Sequence, residues 1–175
     1  MTFIDRVIKY IRPNFKILDL GAGQGEQARL FAKVKSGVQV VAVDLKEPPK
    51  LFNNINWITQ DVREYLAETD EKFDLIVLKN ILQFLPKEYV LNQLPDVLKN
   101  HLKPDSIIAI QTFLKNPEPS FKKPAESLYF LEELREKFKD MSVIHEDQLT
   151  TDGKDMEGQM RKFYLTEIIV KNEKN

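Results

Sequence analysis

The stretch Ile17-Leu18-Asp19-Leu20-Gly21-Ala22-Gly23-Gln24-Gly25 sets how the rest of the chain is to be read. A short apolar run carrying one acid passes into three glycines spaced two apart, which reads as a strand, a tight turn and the start of a helix. Glycine tolerates positive φ and lets the backbone approach a ligand with no Cβ in between. The helix start adds N–H groups without intrahelical partners, suited to a carboxylate or a phosphate. A tight turn with no ligand has the same composition. A dinucleotide fingerprint requires glycine at position 26, where this chain has Glu26, and an acid at that helix start repels a pyrophosphate.

Outward from the loop, short Val- and Ile-rich runs alternate with segments of helical period, the pattern of a parallel sheet covered by helices. Towards the N-terminus, Phe3, Ile4, Val7, Ile8 and Ile11 repeat at helical spacing, and Pro13 ends that helix. Residues 16–20 form the first strand and 24–34 the helix after the loop, broken by Ser36-Gly37. Strands are expected at 38–44, 55–59, 73–78 and 106–114, with a loop at Pro48-Pro49 and a short helix at 62–68. Residues 88–102 carry a helical stripe in which Pro95 marks a kink or the meeting of two helices. Three prolines make 116–124 an irregular crossing, 126–138 returns to helix, and two strands at 142–145 and 161–170 close the chain. A polar, glycine-containing hairpin joins them at 150–158, and 171–175 is expected to fray.

Composition narrows the function classes. The 175 residues are 42% hydrophobic and 30% charged, as in a globular protein with a proper core. With 26 basic and 27 acidic residues, the net charge of -1 lacks the basic excess of a nucleic-acid binder. The absence of cysteine removes disulfides, thiolate catalysis and cysteine metal sites, and two histidines, His101 and His145, are too few for a histidine-rich metal site. No metal is expected. Residues 1–10 lack a signal peptide's apolar stretch, and no apolar run approaches a bilayer's span of about 20 residues, so a cytoplasmic protein is expected.

Acids recur at later strand ends. Asp44 closes the second strand, where a carboxylate can accept from both hydroxyls of a ribose or simply lie solvated in a loop. In Thr59-Gln60-Asp61-Val62, Asp61 suits an adenine amino group and also suits a helix N-cap, and the two uses are compatible. The fourth strand runs out through Phe73-Asp74-Leu75-Ile76-Val77-Leu78-Lys79-Asn80 into Ile81-Leu82-Gln83-Phe84-Leu85.

With these motifs in order, the chain resembles the class I (Rossmann-like) S-adenosylmethionine-dependent methyltransferases from residue 16 to about 114. Leu82-Gln83-Phe84-Leu85 and Gln111-Thr112-Phe113 are similar to the tellurite-resistance-type small methyltransferases within that group. The resemblance implies a three-layer α/β sandwich around a mostly parallel seven-stranded sheet, with an antiparallel strand near its C-terminal edge. It implies one methyltransferase domain over 1–175, with an N-terminal helix at 1–12, a cofactor-binding core at 13–114 and acceptor-side and closing hairpin elements at 115–170. Asp19, Gly21, Ala22, Gly23, Gln24 and Gly25 would line the methionine end of S-adenosylmethionine, Asp44 with Leu45 the ribose, and Asp61 with Val62 the adenine. Lys79 and Asn80 would lie near the amino-acid end or the methyl group.

The acceptor is expected to be a small molecule, with a protein or RNA acceptor and a non-catalytic cofactor-binding subunit or sensor as alternatives. Neither a membrane nor a nucleic acid is an expected partner. Methyl transfer from a sulfonium needs alignment above all, and a base only where the nucleophile carries a proton. His145 and Tyr10 are the candidate catalytic groups, and Gln83, Tyr129 and Arg161 the candidate acceptor contacts. Each has a structural reading as well: a hydrogen-bonded strand histidine, core packing for Tyr129, and a solubilising edge charge for Arg161. The sequence Lys79-Asn80-Ile81-Leu82 also lacks the Asn/Asp-Pro-Pro-aromatic signature of amino-group methylation on nucleic acids.

Overall fold

The computed structural model describes residues 1–47, 53–114, 129, 131–154 and 158–173, with backbone alone at 154 and 161. Helix α1 (Phe3–Ile8) opens the chain behind a capping box, in which Thr2 and Asp5 exchange side-chain-to-backbone hydrogen bonds. Then follow β1 (Lys16–Leu20), α2 (Glu26–Val34), β2 (Gln39–Asp44), β3 (Ile55–Thr59), α3 (Val62–Glu68) and β4 (Phe73–Lys79). A 3-10 turn at Leu82–Phe84 leads to α4 (Lys87–Asn92) and α5 (Leu94–Asn100), then β5 (Leu102–Phe113), α6 (Leu131–Lys137), β6 (Ser142–Lys154) and β7 (Met160–Lys171).

The seven strands lie in the order β3-β2-β1-β4-β5-β7-β6. The pairs from β3 to β5 are parallel, while β7 runs antiparallel to both β5 and β6. The chain builds outward from β1 through β2 to β3, then returns through α3 to place β4 on β1's other side. The order reverses beside β1, and the carboxyl ends of β1 and β4 are therefore the position at which doubly wound sheets hold their ligands.

Strand alternation divides the core in two. Ile17, Val40, Ala42, Leu75, Val77, Ala109 and Ile169 pack under α1 and α2, against Phe3, Val7, Ala28 and Phe31. Leu18, Leu20, Val41, Val43, Ile76, Leu78, Ile108 and Ile110 face α3 to α6, against Leu66, Val90, Leu98 and Phe138. Burial on both faces explains why these strands read as continuous apolar runs.

The expected sandwich and its one antiparallel strand are present, with local differences. Helix α2 starts at Glu26 rather than 24, because Gly25 takes a left-handed conformation as its N-cap. Pro95 marks the junction of two helices: Gln93 leaves helical geometry and Pro95 stands in the first turn of α5. Strand β5 begins at Leu102, four residues before the expected 106. Residues 150–154, expected in a turn, continue β6, where Thr150 to Lys154 pair with Tyr164 to Met160. Lys171, expected in a frayed tail, pairs with Ile107 and Ser142. The loop at Pro48-Pro49 and the crossing at 116–124 lie outside the described residues, as do 126–128 of the expected sixth helix, which is seen as Leu131–Lys137.

Candidate functional site

The glycine loop is held against the end of β2. The Gly21 and Ala22 N–H groups both donate to the Val43 carbonyl, at 2.8 and 3.1 Å, and the Gly23 N–H donates to Asp44 Oδ2 at 2.7 Å. Gly21 takes φ +72°, and a Cβ there would stand 2.8–2.9 Å from the Ile81 side chain. Glycine is therefore required where the turn after β4 crosses the loop. At Gly23, φ +59°, a Cβ would meet nothing within 4 Å, so the backbone there borders open space. Helix α2 has no side-chain cap, and its first N–H groups are open to an anionic partner.

Asp19 ends in the wall of this space. It is 1% exposed, and its Oδ2 has no hydrogen-bond partner. Burial pushes its carboxyl up to about 7, with the Lys79 ammonium pulling downward and the Asp44 charge pushing upward. Three further buried oxygens lack partners in the segments that meet at the loop: Gln27 Oε1 in the first turn of α2, and Asn80 Oδ1 and Gln83 Oε1 after β4. Asn80 sits at φ +56°, an uncommon conformation for a residue with a side chain, fixed by its N–H donating to the Gln111 carbonyl at 2.8 Å. Gln83 Nε2 donates to the Asn80 carbonyl at 2.6 Å, which leaves the amide oxygen as its open end. The set contains acceptors only. It suits an ammonium, which brings three donors and no acceptor.

The other strand ends continue this edge of the sheet. The Asp44 carboxylate also accepts from the Lys46 N–H at 3.0 Å, and Leu45 beside it is strongly exposed. Asp61 caps α3, accepting from the Arg63 N–H at 2.8 Å, while the Arg63 guanidinium lies on both its oxygens and holds its carboxyl below the usual range. The N-cap use of Asp61 is thus realised, and Val62 follows as the first helical residue. Expected cofactor contacts from β1, β2, α3 and β4 come together along one edge of the sheet.

The candidate catalytic and acceptor residues scatter. Tyr129 is fully buried, its hydroxyl donating to the Leu82 carbonyl at 3.1 Å, and burial pushes its phenol up to about 12. It serves as packing under the turn after β4. Tyr10 lies half-buried against the layer of α1 and α2. His145 stands on β6, four strands from β1, or about 19 Å at ordinary strand spacing. Its Nε2 lies 3.5 Å from Glu167 Oε2, away from the glycine loop. The Arg161 side chain lies outside the described residues.

One polar group escaped the sequence reading. Lys79, Gln111, Glu167 and Asp147 stand in register across β4, β5, β7 and β6. Glu167, 1% exposed, accepts from Gln111 Nε2 at 2.7 Å and from Arg6 Nη1 at 2.9 Å, and Arg6 also lies 3.6 Å from Asp147. The signal available was a lone acid inside the apolar run Tyr164-Leu165-Thr166-Glu167-Ile168-Ile169-Val170. A charge at such a position is paired or it is very costly.

Comparison with known proteins agrees with this geometry. Residues 1–163 match the family model described as a methyltransferase domain. The fold is shared with TehB from Haemophilus influenzae at 22% identity and a TM-score of 0.77, over 97% of this chain and 61% of that one. This chain therefore spans about three-fifths of the length of TehB. It is also shared with the N-methyltransferase NodS from Bradyrhizobium japonicum WM9, at 15% identity and a TM-score of 0.66, over 91% of this chain and 86% of that one. A third likeness is the 1,6-didemethyltoxoflavin-N1-methyltransferase of Burkholderia thailandensis, solved with 1,6-didemethyltoxoflavin and S-adenosylhomocysteine. It is 18% identical with a TM-score of 0.65, over 99% of this chain and 79% of that one. No curated protein sequence matches the chain.

Proposed function

Because the chain belongs to the methyltransferase-domain family, we propose that it transfers a methyl group from S-adenosylmethionine to a small-molecule acceptor. The observation that carries the cofactor is the set of buried, unpartnered oxygens of Asp19, Gln27, Asn80 and Gln83 around the glycine loop. An α-ammonium has donors for three of these four oxygens, and its charge beside Asp19 returns that carboxyl to its ionised form. The uncapped start of α2 suits the α-carboxylate, Asp44 the ribose hydroxyls, and Asp61 with the Val62 N–H the adenine. Gly21 to Gly25 and Leu45 border the same ligand.

Bound there, S-adenosylmethionine supplies a methyl group on a positively charged sulfur, an electrophile that needs no further activation. The chain's own task is then alignment and exclusion of water. The ends of β4, β5 and β7 are where an acceptor would meet Lys79, Asn80 and Gln83, with Gln111 behind them and Tyr10 from the helix layer. Gln111 is held through its amide nitrogen by Glu167, which Arg6 holds in turn, so the Gln111 side chain is oriented before an acceptor arrives. In the same proposal 13–114 is the cofactor-binding core, the segment after it belongs to the acceptor side, and the protein works in the cytoplasm. No helix among the described residues is long and apolar enough to cross a membrane.

A small acceptor is favoured by the near-neutral charge, which offers no basic excess to a nucleic acid, and by the kind of ligand bound in the Burkholderia thailandensis enzyme. The test is incubation with methyl-labelled S-adenosylmethionine against a metabolite panel, total RNA and a protein extract in parallel. Label is expected in the low-mass fraction. Label confined to RNA or protein would replace the small acceptor with a macromolecular one, and cofactor binding without any transfer would leave a binding subunit.

A further inference from the structure

Lys79 is the last residue of β4, two beyond Val77, which pairs with Asp19. It therefore stands on the Asp19 face of the sheet, one strand away and level with the start of the glycine loop. Its ammonium acts on the Asp19 carboxyl, yet the two form no ion pair, and among the described residues no other group bonds to it. Lys79 is half-buried, and its charge is close enough to the strand end to act on a ligand held beside Asp19.

We propose that Lys79 sets the preference of the cofactor site between methyl donor and demethylated product, by placing a fixed positive charge near the donor's sulfonium. The proposal rests on the cofactor reading above. S-adenosylmethionine and S-adenosylhomocysteine share adenosine, α-carboxylate and α-ammonium, and differ by one methyl group and one positive charge on sulfur. Any contact of Lys79 with the carboxylate acts on both ligands alike. So does any competition between Lys79 and the α-ammonium for Asp19. Only the sulfonium feels Lys79 in one ligand and not in the other. Asp19 and Asp44, the acids acting on the same patch, attract the donor and limit the repulsion without removing it.

The consequence for transfer follows from where the charge goes. As the methyl leaves, the carbon–sulfur bonding pair stays on sulfur, whose positive charge is discharged, while the new bond forms from the acceptor's lone pair. Repulsion from Lys79 is greatest in the donor complex and fades along the reaction, so it favours the transition state over the ground state.

The experiment is calorimetric titration of S-adenosylmethionine and S-adenosylhomocysteine into wild type, Lys79→Met and Lys79→Arg, with thermal melts to show that each variant is folded. In wild type the product binds more tightly than the donor. In Lys79→Met the ratio of donor to product Kd falls about tenfold, the order expected for two unit charges about 10 Å apart at an effective dielectric near 20. Lys79→Arg keeps the wild-type ratio. Equal weakening of both ligands, or an unchanged ratio in Lys79→Met, overturns the proposal, since Lys79 then acts on the amino-acid end or on neither. Wild type that binds neither ligand overturns the cofactor reading itself.

Discussion

Asp19 shows at the residue scale how a site can be built against stability. Its carboxyl is buried between Leu18 and Leu20 on a strand that is otherwise apolar from Ile17 onward, and it is pushed from an ordinary value of 3.8 up to about 7. The folded state thus holds a proton that the unfolded state has released. Stability falls as pH rises from about 4 to about 7 and levels off above that. A displacement of this size corresponds to at most about 4 kcal/mol. Asp19→Asn is therefore expected to be more stable than wild type at pH 8 by about 2–4 kcal/mol, with less than half that gain at pH 5, as read by denaturant melts. The same variant should bind S-adenosylhomocysteine at least about tenfold more weakly, because an ammonium loses its charged partner. A variant that is less stable at pH 8, or that gains equally at both pH values, would contradict this account. Asp19 itself was legible in the sequence as the acid before three glycines. Its protonation was not, because that depends on burial by elements distant in the chain.

At the scale of elements, α1 is tied to the sheet by one buried carboxylate. Glu167 links Arg6 of α1 with Gln111 of β5, and removing it leaves the Gln111 amide without its acceptor and the Arg6 guanidinium with Asp147 alone, 3.6 Å away. Glu167→Ala should destabilise the fold by about 3–5 kcal/mol in urea unfolding, and Glu167→Gln by clearly less, since an amide oxygen can still accept one of the two bonds. A Glu167→Ala protein within about 1 kcal/mol of wild type would mean that the cluster is not a structural tie. This cluster was hidden in the sequence because its three members lie on separate elements, 161 and 56 residues apart from Glu167. The extent of β6 was hidden for a related reason. Thr150 to Lys154 is polar and glycine-containing, like a turn, and lies on the sheet edge, where no second neighbour imposes an apolar face. Its strand conformation comes from pairing with β7. The interior strands were legible because both their faces are buried, and the α4–α5 junction because proline marks it locally.

For the whole molecule, the strand order turns a local motif into a site. A glycine loop after β1 lies at the one position where β2 and β4 flank the same strand and the chain leaves in opposite directions. Asp44 and Asp61 then arrive at the next two strand ends without any residue between them being specified by the ligand. The parallel sheet could be read from the order of apolar runs and helical segments, whereas the proposed contacts at Asp19, Asp44 and Asp61 came from the resemblance to the methyltransferases. The acceptor side could be read from neither, because it depends on how β7 inserts between β5 and β6 after the chain has doubled back.

The central claim is that this site binds the methyl donor and its product through the acids of β1 and β2. It is tested most directly by titrating S-adenosylhomocysteine into wild type and Asp44→Ala at neutral pH. Wild type is expected to bind at one site per chain with a micromolar Kd, and loss of the Asp44 carboxylate to weaken binding about tenfold or more. A folded wild-type protein that binds no S-adenosylhomocysteine, or an Asp44→Ala variant that binds it as tightly as wild type, would contradict it.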